Sequence, residues 1–117
     1  MTEHRKTWET YVASWKTTSS AERAALLEQS FAADCAYVDP LTQTRGGAEL
    51  AKGIEEFQRQ SPGVHFATID FQSHHGRSLA HWEMRGADGE KLGDGVGYAE
   101  YDDAGKLTSV NNFFATP

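Results

Sequence analysis

The chain has 117 residues, 38% of them hydrophobic, and a formal charge of -6 at pH 7. That length supports one hydrophobic core and not two, so residues 1–117 are expected to form a single domain. The acidic balance argues against nucleic acid or an anionic membrane as partner, and no apolar run is long enough to span a bilayer.

The N-terminal stretch Met1-Thr2-Glu3-His4-Arg5-Lys6 has no apolar segment behind it and does not read as a secretory signal. Trp8, Tyr11, Val12 and Trp15 fall at i, i+3, i+4 and i+7, painting one face of a first helix. Ser19 followed by Glu22 is a capping-box pattern and starts a second helix. Its apolar stripe is Ala24, Leu27 and Phe31, and it is expected to end near Asp34. Cys35, the single cysteine, cannot form an internal disulfide, fits a reducing cytoplasm, and reads as a small packed residue.

Ala36 to Val38 reads as a very short strand, stopped by Pro40. Asp39 sits there between Tyr37, Val38 and Leu41, where apolar neighbours would shield it from water as a general base is shielded. The competing reading is that its carboxylate accepts from the Leu41-to-Arg45 backbone, as turn aspartates do. A third helix follows Arg45-Gly46-Gly47, carries Leu50, Ile54 and Phe57 on one side, and ends at Ser61-Pro62-Gly63. Gly53 within it suggests close approach of another element.

The period then changes to two. Four strands are expected over residues 64–73, 78–86, 91–102 and 107–115, with Asp88-Gly89 as a hairpin signal. Ala80, Trp82 and Met84 share one face of the second of these. His81, Glu83 and Arg85 share the other, beside Val96, Tyr98 and Glu100. Gly93, Gly95 and Gly97 lie on one face of the third, leaving room that is filled by packing and curvature or held open as a pocket. Asn112 is expected to face inward with Val110 and Phe114. No histidine spacing matches a metal motif, so no metal and no cofactor are expected.

The order α-α-β-α-β-β-β-β argues for α+β: three helices packed on a strongly curved, mostly antiparallel sheet with a blind apolar cavity at its open end. With that order, the stretches Phe31-Ala32-Ala33-Asp34-Cys35-Ala36-Tyr37-Val38-Asp39-Pro40, Gly46-Gly47-Ala48-Glu49-Leu50 and Tyr101-Asp102-Asp103-Ala104-Gly105-Lys106-Leu107 resemble the SnoaL-like branch of the nuclear transport factor 2-like superfamily. The resemblance spans nearly the whole chain and implies a cystatin-like α+β cone. Within that branch, the stretch ending at Asp39-Pro40 resembles that of ketosteroid isomerases, and Asp39 falls on their proton-shuttling aspartate. Trp15 stands where the isomerase has its oxyanion-binding tyrosine, and Gly97 where it has a protonated acid. Tyr11, one turn before Trp15, could supply a displaced hydroxyl.

These readings give Asp39 and Tyr11 as catalytic candidates. Trp15, Leu50, Ile54, Phe57, Trp82, Met84, Gly97, Asn112 and Phe114 are the candidate ligand contacts. The expected ligand is a small apolar or aromatic molecule, and the function an isomerase or polyketide-cyclase-like proton transfer. Two alternatives stand beside it. One is a non-catalytic binding module. The other is a water-activating enzyme of epoxide-hydrolase or dehydratase type, which would need Arg85 and Glu83 inside the cone. The resemblance also implies a homodimer through the outer sheet face.

Overall fold

A computed structural model describes residues 3–116. Met1 and Thr2, which open the stretch read as lacking a secretory signal, and Pro117 lie outside the described residues. The elements are α1 (Glu3–Ala13), α2 (Ser20–Ser30), β1 (Phe31–Asp39), β2 (Thr42–Arg45), α3 (Gly47–Gln60), β3 (His65–His74), β4 (Arg77–Arg85), β5 (Lys91–Tyr101) and β6 (Leu107–Phe113). All six strands join one open sheet in the order β2-β1-β6-β5-β4-β3, antiparallel except where β1 meets β6. Register shifts leave Ile69 of β3, Leu92 of β5 and Thr108 of β6 as the extra residues of bulges, which bend a sheet and raise its twist. The helices cover its inner face, burying Trp8, Leu27, Leu50 and Ile54 against Ala99 and Val110.

Helix α1 ends at Ala13, where Ser14, Trp15 and Lys16 switch to i→i+3 bonds onto Tyr11, Val12 and Ala13. Trp8 and Tyr11 are therefore helical, while Trp15 lies in the turn beyond. Ser19 caps α2 by accepting from the Glu22 amide, as the capping pattern predicts. The expected stripe of α2 needs correction. Ala24 is exposed, and the buried positions are Arg23, Leu27 and Ser30. Arg23 is buried because its guanidinium donates to the orphan carbonyls of Ser14 and Lys16 (2.9 and 2.8 Å) and pairs with Glu55.

Helix α2 also stops earlier than Asp34. Phe31 is already extended, and β1 runs nine residues instead of three. Alanine at 32, 33 and 36 favours helix locally, but parallel pairing of Phe31 with Leu107 and of Ala36 to Val38 with Ser109 to Asn111 prevails. The strand β2 was not foreseen: residues 42–45 fold back on β1 around Pro40-Leu41, pairing Asp39 with Thr42. At Gly53 no atom stands within 4 Å of a Cβ position, so the close approach expected there does not exist. Gly46 is different: its φ of +82° starts α3 where few other residues could.

Candidate ligand cavity and its polar cluster

Alternation along β1 turns Tyr37 and Asp39 to the same inner face, since they are two residues apart. Asp39 is half-buried at the end of that strand. Its Oδ1 accepts from the Leu41 and Thr42 amides (2.8 and 2.9 Å), which fixes the turn into β2. Its Oδ2 accepts from the Tyr37 hydroxyl at 2.6 Å. The turn role and the inward-facing role thus coexist, one on each oxygen.

Asn112 on β6 is the hub of the remaining polar groups. Its Oδ1 accepts from Trp82 Nε1 at 3.1 Å, and its Nδ2 makes long contacts of 3.5 and 3.4 Å with the Tyr11 and Tyr37 hydroxyls. Tyr11 also accepts from Trp15 Nε1 at 3.1 Å, so its oxygen faces two N–H donors while its own proton stays free for another acceptor. Burial pushes both phenols well above their ordinary range. For Tyr37 the neighbouring Tyr11 and Asp39 charges add to the effect. Both hydroxyls therefore remain protonated and act as hydrogen-bond donors.

These groups open onto a cavity of about 400 Å³. Its wall is a chain of rings in edge contact: Phe57 on Trp15, Trp15 on Phe66, Phe66 on Trp82, and Trp82 on Phe114, with centroids 5.4–6.0 Å apart. Trp15 is held in place from α3, where Gln58 Nε2 donates to its carbonyl at 2.6 Å. An apolar cavity with a few convergent polar groups is the usual form of a small-molecule site. A second hollow of about 440 Å³ lies among Ala24, Ala32, Ala48 and Ala51. It lacks such convergence, for the Lys106 ammonium at its edge donates to the Glu28 carbonyl.

Asp39, Tyr11, Trp15, Phe57, Trp82, Met84, Asn112 and Phe114, all expected at the site, line the cavity. Leu50 and Ile54 do not: they are fully buried in the core beneath it. Gly97 does not either, because Trp8 and Asn112 occupy the space above it. A Cβ there would stand 2.5 Å from Asn112 Oδ1 and 2.8 Å from the Trp8 ring. Gly95 is closed in the same way by Trp82, while Gly93 faces open cavity. Tyr37, Phe66 and Leu92 were missed. The i, i+2 spacing to Asp39 was the available signal for Tyr37.

Arg85 and Glu83 pair with each other at 2.9 Å and line no part of the cavity, contrary to what a water-activating site would need. Among the described residues no group of three or more His, Cys, Asp or Glu is placed to hold a metal ion. Cys35 is fully buried, and that burial pushes its thiol up to about 12, as befits a packed residue. No helix among the described residues is long and apolar enough to cross a membrane.

Three solved structures place this geometry. A SnoaL-like protein of Agrobacterium tumefaciens, described as a candidate isomerase, superposes with a TM-score of 0.90 at 27% identity, covering 99% of this chain and 100% of its own. A candidate ketosteroid isomerase of Kribbella flavida gives 0.70 at 20% identity over 98% and 79%. TerC, co-crystallised with polyporic acid, gives 0.75 at 15% over 97% and 92%. The last two show the fold alone, which other neighbours describe as cystatin-like. No curated protein matches the sequence. The SnoaL-like domain profile matches residues 8–110, and the chain belongs to that family.

Proposed function

We propose that this chain is a cofactor-independent proton-transfer enzyme of isomerase or polyketide-cyclase-like type, acting on a small apolar or aromatic carbonyl compound. The observation that carries this reading is the convergence of the Asp39 carboxylate and the Tyr11 hydroxyl on one ring-walled cavity. Asp39 takes a proton from the carbon next to the carbonyl, and the C–H electron pair moves into the enolate. Tyr11 donates a hydrogen bond to the oxygen as it becomes negative, an interaction that counts most in a site sheltered from water. Returning the proton to a different carbon completes an isomerisation. Attack of the enolate carbon on a second carbonyl of the same molecule forms the C–C bond of an aldol-type cyclisation, and the proton held by Asp39 returns to the new alkoxide. Tyr37 and Asn112 orient the acid and the phenol.

The test uses 4-acetylbiphenyl, an enolisable aromatic ketone, in deuterium oxide. Deuterium wash-in at its methyl group, followed by NMR, should be accelerated by the protein and lost in Asp39→Asn. That variant keeps the Oδ1 acceptor for the turn while removing the base. Exchange that persists unchanged in the variant rejects the role of Asp39.

One observation favours a second reading, a non-catalytic binding module with the same cavity. Both Asp39 oxygens already accept protein donors, as in a purely structural aspartate. It predicts ketone binding without exchange and an affinity indifferent to Asp39→Asn.

The homodimer expected through the outer sheet face draws support from an exposed apolar strip. Leu79, Val96 and Phe113 lie on that face, Phe113 61% exposed, with Val96 paired to Phe113 across the strands. The His81–Asp94 hydrogen bond and the Arg85–Glu83 ion pair flank them. A two-fold axis through the strip would bury it against its own copy. Sedimentation should give a dimer, and Phe113→Asp a monomer. A wild-type monomer at working concentration rejects it. A reducing, cytoplasmic setting accords with the lone buried thiol.

A further inference from the structure

Glycines 93, 95 and 97 share one face of β5, yet only two of them are explained by packing. A Cβ at Gly95 would stand 2.5 Å from the Trp82 ring and from the Phe113 carbonyl, and one at Gly97 2.5 Å from Asn112 Oδ1. At Gly93 nothing lies within 4 Å of that position. Its backbone does not require glycine either, since it is not among the residues with positive φ. Glycine weakens a strand interior, so a glycine that neither sterics nor backbone demands leaves a cost without a structural return. The return available is space, because Gly93 lines the cavity with its cross-strand partner Met84.

The register gives that space a direction. Asn112 pairs with Gly97, Trp82 with Gly95, and Met84 with Gly93. Four residues of strand separate Gly97 from Gly93, about 13 Å along the chain. A strip of the inner face thus runs from the polar cluster at Asn112, along the Trp82 ring, to open floor at Gly93. Among the described residues the lining holds no Lys, Arg or His; Asp39 is its inward carboxylate, while Asp94 turns its own to His81 on the outer face. An anionic ligand would meet no cationic side chain there.

We propose that Gly93 sets the length of ligand the cavity accepts, its missing side chain holding open the floor on which the far end of an elongated, uncharged aromatic carbonyl compound lies. This rests on the cavity being the ligand site and is independent of whether Asp39 does chemistry there. A one-ring ketone anchored at the polar cluster ends short of Gly93, and a linear two-ring ketone extends toward it.

The experiment titrates acetophenone and 4-acetylbiphenyl into wild type, Gly93→Ala and Gly93→Leu, reading quenching of the Trp15 and Trp82 fluorescence. Near-UV circular dichroism and the melting temperature report the fold. Gly93→Leu should weaken 4-acetylbiphenyl by about ten-fold or more and leave acetophenone within about two-fold, with Gly93→Ala between wild type and Gly93→Leu. Undiminished binding of the longer ketone overturns the inference, as does equal loss of both. A Gly93→Leu chain that cannot fold also overturns it, because the floor was then not open. Wild type that binds neither ketone removes the ligand-site reading along with it. Size-selective binding without deuterium exchange leaves the inference standing and removes only the catalytic assignment.

Discussion

Trp8 and Trp15 stand seven residues apart on what the sequence presents as one helical face, and they meet opposite fates. Trp8 is inside α1, fully buried, with its indole N–H on Thr68 Oγ1 at 3.1 Å and its ring over Gly97. Trp15 falls just past the end of α1 and is half-buried, with its ring forming cavity wall and its N–H on the Tyr11 hydroxyl. One indole plugs the narrow end of the cone, and the other frames the wide end. The difference comes from where the helix stops and from Gln58, which holds the Trp15 carbonyl. An apolar stripe therefore identifies the side that faces the sheet, but it does not separate plug from wall.

The largest expected effect tests that separation directly. Trp8→Ala should cost about 3–5 kcal/mol in urea unfolding, the range for emptying a filled core site. Trp15→Ala should cost roughly half as much, since one side of its ring already faces open space. Equal losses would place Trp15 in the core and break the comparison.

The narrow end also holds Tyr101, hydrogen-bonded to Ser78 at 2.8 Å and stacked on His4 at 4.1 Å. Burial pushes its phenol up to about 12, against 10.0 for the free group. Between those values the unfolded chain has lost a proton that the native chain keeps, so stability is full below pH 10 and falls as pH rises toward 12. The share of the loss from this one phenol is on the order of 3 kcal/mol. Tyr101→Phe should make that part of the profile less steep, the remaining slope coming from Tyr11, Tyr37 and Cys35, which burial also keeps protonated. A slope unchanged in the variant would assign the alkaline loss to other groups.

Next in size is Gly97→Ala. Its new methyl would meet Asn112 Oδ1 and the Trp8 ring at 2.5 and 2.8 Å, and overpacking of that kind costs about 1–3 kcal/mol. The same change should disturb the polar cluster, since Asn112 links Trp82, Tyr11 and Tyr37. Chemical shifts of the two tyrosine rings would report it.

The α+β order and the capping of α2 by Ser19 were legible because each rests on local chemistry or on periodicity. What stayed hidden depends on partners distant in sequence. The helix-to-strand boundary at Phe31 is set by pairing with Leu107. Arg23 looks like a surface residue until the carbonyls of Ser14 and Lys16 are brought to it. The strand at 42–45 is local by contrast, folded back on residues 36–39 by the turn that Asp39 holds, and its Thr-Gln-Thr-Arg sequence carries no apolar alternation to reveal it. Leu50 and Ile54 carry the right periodicity for the inner face, yet they pack below the cavity while Phe57, further along α3, reaches it. Periodicity fixes the face of an element and leaves depth along it open. For Asp39 the sequence fits a turn anchor and an inward acid alike, and its two oxygens divide: Oδ1 accepts from the turn amides, and Oδ2 accepts from the Tyr37 hydroxyl beside the cavity.

The smallest effect is the most discriminating, because it contrasts two glycines on one strand face. Gly93→Ala adds the same methyl as Gly97→Ala, but into space with no atom within 4 Å. Its native backbone is open to any residue, so the substitution also removes conformational freedom from the unfolded chain. Stability should be unchanged or should rise by about 0.4–1 kcal/mol. The four-residue shift from Gly97 to Gly93 then reverses the sign of an identical substitution, which a uniformly packed strand could not do. Equal destabilisation at both positions would mean that the wide end closes in solution, and the cavity would lose its floor.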